Sequence, residues 1–165
     1  MLINNLNKSK DAGILLIRLG VGGAFIMIHG WAKISAGPEL WRGLGSAMGN
    51  FGITAMPEYW GLASALAEFV GGMLLLLGLF TRPVAALMLI NMIVALTMHF
   101  TNHDAWVTIA HPLEIAFVLL AIIFTGAGRY SLDYLISTRK HIMVKYVMPL
   151  RSKNEDSGSR VHPAL

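Results

Sequence analysis

Four apolar runs, each long enough to cross a membrane, constrain this chain of 165 residues more than any motif within it. They cover about residues 12–34, 60–80, 83–99 and 110–127, each within or close to the roughly 17 to 25 residues that a helix needs to span hydrocarbon. Soluble helices this apolar occur only inside a large core, and a chain of this size cannot surround four of them. The residues are 55% hydrophobic and only 13% charged, with a mean hydropathy of +0.61, outside the usual soluble range. The expected fold is therefore all-α, an integral membrane four-helix bundle. The first run carries Arg18 and no small-residue cleavage site, so it reads as a retained helix rather than a signal peptide.

Local punctuation sets the connections. In "FTRPVAA", Arg82 and Pro83 make a turn so short that the second and third spans must be antiparallel neighbours, with Pro83 tolerated at a helix start. Residues 35–59 carry several glycines and two prolines around a weakly amphipathic piece, which suggests a partly ordered loop or interfacial helix over one end of the bundle. Lys8, Lys10, Arg82, Arg129, Arg139, Lys140 and Lys145 fall on one side, whereas the long loop has Arg42 against Glu39 and Glu58. The positive-inside rule then puts both termini in the cytoplasm and the loop 35–59 outside. The formal net charge of +4 is thus a topology signal. With no basic stripe interleaved with aromatics, nucleic acid is not an expected partner. Residues 1–135 read as the four-span domain. Residues 136–165 read as a cytoplasmic amphipathic segment, beginning near Leu132, Leu135 and Ile136, followed by a disordered tail.

Counting 1.5 Å per helical residue from the cytoplasmic ends gives each polar side chain a depth. Glu68 and Glu114 each lie fourteen residues from the end of their span, at Arg82 and Gly128, hence roughly 21 Å up. His99 comes out near roughly 24 Å, and His29 and His111 near roughly 25 Å. Lys33 lies one turn beyond His29 on the same face. Four helices thus bring ionisable groups to one outer layer, which is costly in lipid unless they face inward and satisfy one another. Lys33 with Glu68, or Lys33 with Glu114, is the expected pair. The layer is either a polar lock for the bundle or a site for a polar head group or proton. Arg18, far below it, is expected to snorkel to lipid phosphate, and Arg82 to anchor at head groups in the same way. Gly20, Gly22 and Gly23, with Gly71 and Gly72, are expected to pack span against span, and Asn91 to bond across an interface.

Other chemistries find little support. There is no cysteine, which excludes a dithiol relay and thiolate-ligated metal. His111 and Glu114 stand three apart, but no H-E-x-x-H arrangement is present and Pro112 sits between them, so neither metal nor haem is expected. The glycines of "RLGVGGAF" lie in a membrane run, not in a strand-to-helix turn.

The run "LLIRLGVGGAFIMIHGWAKI", followed by "ALAEFVGGMLLLLGLFTRPVAA" and the exit "GAGRYSLD", resembles the DoxX family of small four-span bacterial and archaeal membrane proteins over roughly residues 12–135. The resemblance implies residence in the cell membrane, the inner one where the host has two. Arg18, Lys33, Glu68, His99 and Glu114 are implied as recurring polar positions without assigned roles. It further implies association with membrane-bound oxidoreductases, since the family is named for a small subunit linked to a terminal quinol oxidase and to thiosulfate:quinone oxidoreductase. Related four-span proteins reduce quinones through a cysteine pair, which this chain lacks.

The leading functional expectation is an accessory or quinone-binding subunit, with quinone as the candidate cofactor and no catalytic residue assigned. Its partners would be membrane lipid, quinone, and a redox protein or a second copy of the chain. A non-catalytic scaffold for a redox partner ranks second. A small transporter ranks third, because no inverted repeat or broken mid-span helix is visible. Cysteines introduced at Ser46 and Ser152 should label from opposite sides in intact cells; labelling from one side would refute the topology.

Overall fold

The computed structural model describes residues 2–142, and among them every regular element is helical. Helix α1 (Leu2–Ala24) passes through a π-helical turn, Phe25–Gly30, into α2 (Trp31–Ala36). There follow α3 (Pro38–Gly45), a 3-10 turn (Ser46–Phe51), α4 (Pro57–Leu77), α5 (Thr81–Thr101), α6 (Trp106–Thr125) and α7 (Leu132–Ile142). Among the described residues four helices are long and apolar enough to cross a membrane: Lys8–Ala36, Pro57–Leu77, Thr81–Thr101 and Trp106–Thr125. Each begins before its apolar run, but the second and fourth stop short of residues 80 and 127, because Gly78 and Gly126 end them at positive φ. Pro57 opens α4, and Gly78 ends it in the left-handed region at φ 67°. There Leu79 N–H donates to Leu74 O and Gly78 N–H to Leu75 O, the paired closing bonds of a Schellman cap.

The bundle has two dissimilar ends. At one, called here the cap end, the 35–59 segment is folded: α3 and the 3-10 turn lie on α4. Glycine permits the contact, since a Cβ on Gly61 would run into the Trp41 backbone and one on Gly45 into Pro57 O. Trp41 Nε1 donates to Lys33 O at 2.7 Å, and Arg42 pairs with Glu58 at 3.0 Å. Between the ends, Phe25, Leu75, Met88, Met92, Leu119 and Ile122 pack as the core.

At the other end, Arg18 overturns the snorkelling expectation. Its side chain is only 1% exposed and turns inward. Nε donates to Leu75 O at 2.9 Å, Nη2 to Leu76 O at 2.9 Å, and Nη1 to Ala127 O at 2.7 Å and Tyr130 O at 2.9 Å. Leu75 and Leu76 belong to the last turn of α4, and Ala127 and Tyr130 to the exit from α6. Carbonyls past a helix C-terminus lack intrahelical donors and carry the negative end of the helix dipole. A five-donor guanidinium matches such a set without any carboxylate. Asp133 completes this end by accepting from Phe80 N–H and Thr81 N–H at the start of α5, where negative charge meets the positive end of the dipole.

Packing glycines are redistributed as well. A Cβ would meet nothing at Gly20 or Gly23, which therefore do not serve the close approach expected of them. Gly22 does, since a Cβ there would lie 2.8 Å from Gly72 O, and Gly72 approaches Gly22 in turn while Gly71 faces Met88 of α5. At about 100° per residue Gly20 lies nearly opposite Gly22 and Gly23 lies about a quarter turn from it, so one face alone meets α4. Arg82 is exposed at the α4–α5 turn and donates to Phe124 O at 3.4 Å. Helix α7 runs across the expected boundary at 135–136, and the tail expected to be disordered lies outside the described residues from 143 onward.

Arg18→Gln should lower unfolding stability in detergent by about 3 to 5 kcal/mol, because it strands several buried carbonyls at once. Arg18→Lys should rescue little of this, since one ammonium cannot reach acceptors on two helix ends. Thermal unfolding of the three proteins in one detergent makes the comparison.

Candidate functional site

The expected ion pair forms at the cap end. Lys33 Nζ lies 2.6 Å from Glu68 Oε1, and the Glu68 side chain is 3% exposed. Glu68 is carried by the middle of α4, where its neighbours Ala65, Ala67, Gly71 and Gly72 are buried and small. Asn91 of α5 donates its Nδ2 to the same Oε1 at 2.9 Å, so it binds the carboxylate rather than serving only as interfacial packing. Glu68 Oε2 is buried and has no hydrogen-bond partner among the described residues. A carboxylate buried this deeply is tolerable only beside a partner. Its second oxygen is an acceptor that no donor among the described residues fills.

The π-helical turn sets what faces the pair. A π turn widens the backbone by one residue and recurs at functional sites in helices. Gly30 closes it against α4, where a Cβ would lie 2.6 Å from Phe69 Cα. The His29 ring meets that of His111 from α6 in a stacked contact, centroids 4.9 Å apart, and Phe25 lies 5.5 Å from His29. His99, near the end of α5, is held by Asp104 of the following turn, with Nδ1 and Oδ2 2.7 Å apart. An ionised carboxylate only accepts, so this contact assigns the proton to Nδ1 and leaves Nε2 of a neutral ring as an acceptor. Asp104 was not among the expected polar residues. The only signal for it is the tight "NHDA" turn that brings position 104 back to position 99.

A cavity of about 350 Å³ gathers His29, Lys33, Glu68, His99 and His111 on its lining. These are five of the six residues expected in the layer. Glu114 is the exception: it is exposed, makes no contact with Lys33, and lies outside the cavity. The buried stripe of α6 includes Ile109, Pro112, Leu119 and Ile122. Glu114 comes two residues after Pro112, about 200° around the helix. A shared depth placed it in the layer, but its azimuth takes it out. Among the described residues, no three His, Cys, Asp or Glu side chains converge as a metal-binding group.

The sequence model of the DoxX family matches residues 13–104 of this chain. That stretch contains Arg18, His29, Lys33, Glu68, Asn91, His99 and Asp104 and stops short of His111. An uncharacterised protein of Haemophilus influenzae is 33% identical over 140 residues, which is 79% of this chain and 96% of that protein. A Bacillus subtilis protein, CatD, whose name offers oxidoreductase only as a suggestion, is 31% identical over 91 residues, covering 55% of this chain and 62% of that protein. No solved structure matches.

A double-mutant cycle reads the pair directly. Lys33→Met should cost about 3 to 5 kcal/mol because it strands the Glu68 carboxylate, and adding Glu68→Leu should restore most of that loss. Glu68→Gln should be less harmful than Glu68→Lys. Unfolding in a single detergent gives all the values, and additive losses would show the pair to be uncoupled.

Proposed function

This chain belongs to the DoxX family, and from that premise and the polar cavity at the cap end we propose that it binds the head group of a quinone or quinol as a subunit of a membrane-bound oxidoreductase system. The observation that carries the reading is the cavity of about 350 Å³ in which three imidazoles face an ion pair with one unpartnered carboxylate oxygen. Such a lining suits a ligand that offers both hydroxyl and carbonyl oxygens. Lys33 Nζ has three donors and gives one to Glu68, so a carbonyl oxygen can take another. A hydroxyl can donate to Glu68 Oε2 or to His99 Nε2. When a quinol is oxidised its hydroxyl protons must leave, and these same groups are positioned acceptors for them.

The chain has no cysteine, so on this reading it holds the ligand and handles protons while a partner protein supplies the redox centre that exchanges electrons. The suggestion in the name of CatD points the same way. Membership of the DoxX family supports a place in the cell membrane of a bacterium or archaeon, the inner one where there are two, and the charge asymmetry of the loops supports an orientation with the termini and Arg82 on the cytoplasmic side.

A photoreactive quinone should crosslink to residues of the cap half. His99→Ala should weaken its binding about fivefold to tenfold, the equivalent of about one hydrogen bond. Glu114→Gln, on the outer face of α6, should leave binding unchanged. Labelling no stronger than that of an unrelated membrane protein would reduce the polar layer to a structural lock and favour the scaffold reading.

A further inference from the structure

A second cavity, of about 210 Å³, adjoins the first and shares Lys33, Glu68 and Ala95 with it. Its walls are the facing stripes of two helices. From α4 come Ala63, Ser64 and Ala67, and from α5 come Leu87, Ile90 and Val94, each set at the spacing of one helical face. The small residues on α4 leave the space open, and Leu44, Gly45, Ala47 and Met48 of the cap segment roof it. Along α5 the lining runs from Leu87 to Met98, roughly 16 Å of helix. Trp60, Ala63 and Ser64 on α4 and Val94, Ala95 and Met98 on α5 lie between the Glu68–Asn91 level and the cap segment, so the cavity extends from the polar pair toward the cap end, with Leu87 and Ile90 at its inner edge.

Polarity divides along that length. Lys33, Glu68 and Asn91 mark one level; on its cap side Trp60, Ala63, Val94 and Met98 are apolar, and Leu87 and Ile90 close the inner edge with apolar side chains. Those two side chains are 53% and 59% exposed, so this flank faces the hydrocarbon that surrounds the bundle. Among the lining residues Lys33 is the only cation, and it is already engaged by Glu68. The site therefore offers no free positive charge to a phosphate. A long uncharged chain attached to a small polar head fits both parts.

We infer that the apolar cavity holds the hydrocarbon chain of the ligand whose head group contacts Lys33 and Glu68, and that this ligand passes sideways from the bilayer between α4 and α5. The inference rests on the reading of the neighbouring cavity as a quinone head-group site. It adds a specificity: affinity depends on the chain as well as on the ring. Ala63 and Val94 become the residues that set how much chain the protein accepts.

Two probes separate the claims: a tail-less benzoquinone and the same ring bearing a decyl chain, each titrated against the full chain in lipid nanodiscs. The decyl compound should bind the parent protein more tightly. Ala63→Phe, which fills the cavity from the α4 side, should weaken the decyl compound at least about tenfold, as withdrawing about two methylenes would, and leave the tail-less ring unchanged. Val94→Phe should do the same from the α5 side, and the unchanged ring affinity certifies the fold of both variants. Equal affinity of the two probes for the parent, or equal weakening of both by the two variants, would overturn the inference while leaving the head-group site intact. Failure of both probes to bind the parent would instead overturn the head-group reading. Loss of a retained phospholipid from Ala63→Phe in native mass spectrometry, with quinone binding unaltered, would overturn the inference in favour of a lipid acyl chain.

Discussion

A carboxylate inside hydrocarbon must be matched or it expels itself, and much of the cap end follows from how Glu68 is matched. Lys33 reaches it from the first span and Asn91 from the third, so one side chain on α4 joins three helices. The backbone carbonyl of Lys33 in turn receives Trp41 Nε1, which connects the roof segment to the residue that neutralises Glu68. In a medium of low dielectric such bonds are strong, and breaking one leaves an uncompensated charge. Both cavities share this pair as a common wall. The groups that hold the helices together are therefore also the groups a ligand would meet.

The opposite end solves a related problem by other means. Arg18 is buried without a carboxylate in contact among the described residues, and its counter-charge is distributed over four carbonyls at two helix ends. Gly78 makes room, because a side chain there would collide with the guanidinium. Its positive φ also turns the chain toward α5. Asp133 treats the start of α5 as Arg18 treats the end of α4, with the sign reversed. Each end thus carries polar bonds across helices, and the apolar packing between them has only to fill space.

The sequence made the four spans, the cap segment and the Lys33–Glu68 pair legible, because apolar length and a count of helical rise are one-dimensional quantities. Azimuth is harder to read. Glu114 shares a depth with Glu68 but faces outward, and Gly20 and Gly23 lie on a different side of the first helix from Gly22. Deciding such cases needs the buried face of each helix, and in helices apolar on nearly every side the hydrophobic pattern does not reveal it. Arg18 was misread for another reason. Its acceptors are backbone carbonyls 57 to 112 residues away, and carbonyls leave no mark in a sequence. Asn91 bonds across an interface as expected, but its acceptor, Glu68, is fixed only once the helices are assembled, whereas Asp104 meets His99 through a local turn whose geometry the sequence does not spell out.

The same Arg18 contacts bear on the order in which the protein is made. When the first span leaves the ribosome and enters the bilayer, its guanidinium has none of its four acceptors. Leu75 and Leu76 arrive only with the second span, and Ala127 and Tyr130 only after the fourth. Until then the charge must stay hydrated or bound to lipid phosphate at the surface, holding the nascent helix in a shifted or tilted position. The full set of bonds to this guanidinium therefore exists only when the last helix has closed the bundle. The charge that locks the finished protein also delays its own burial until there is a finished protein to lock.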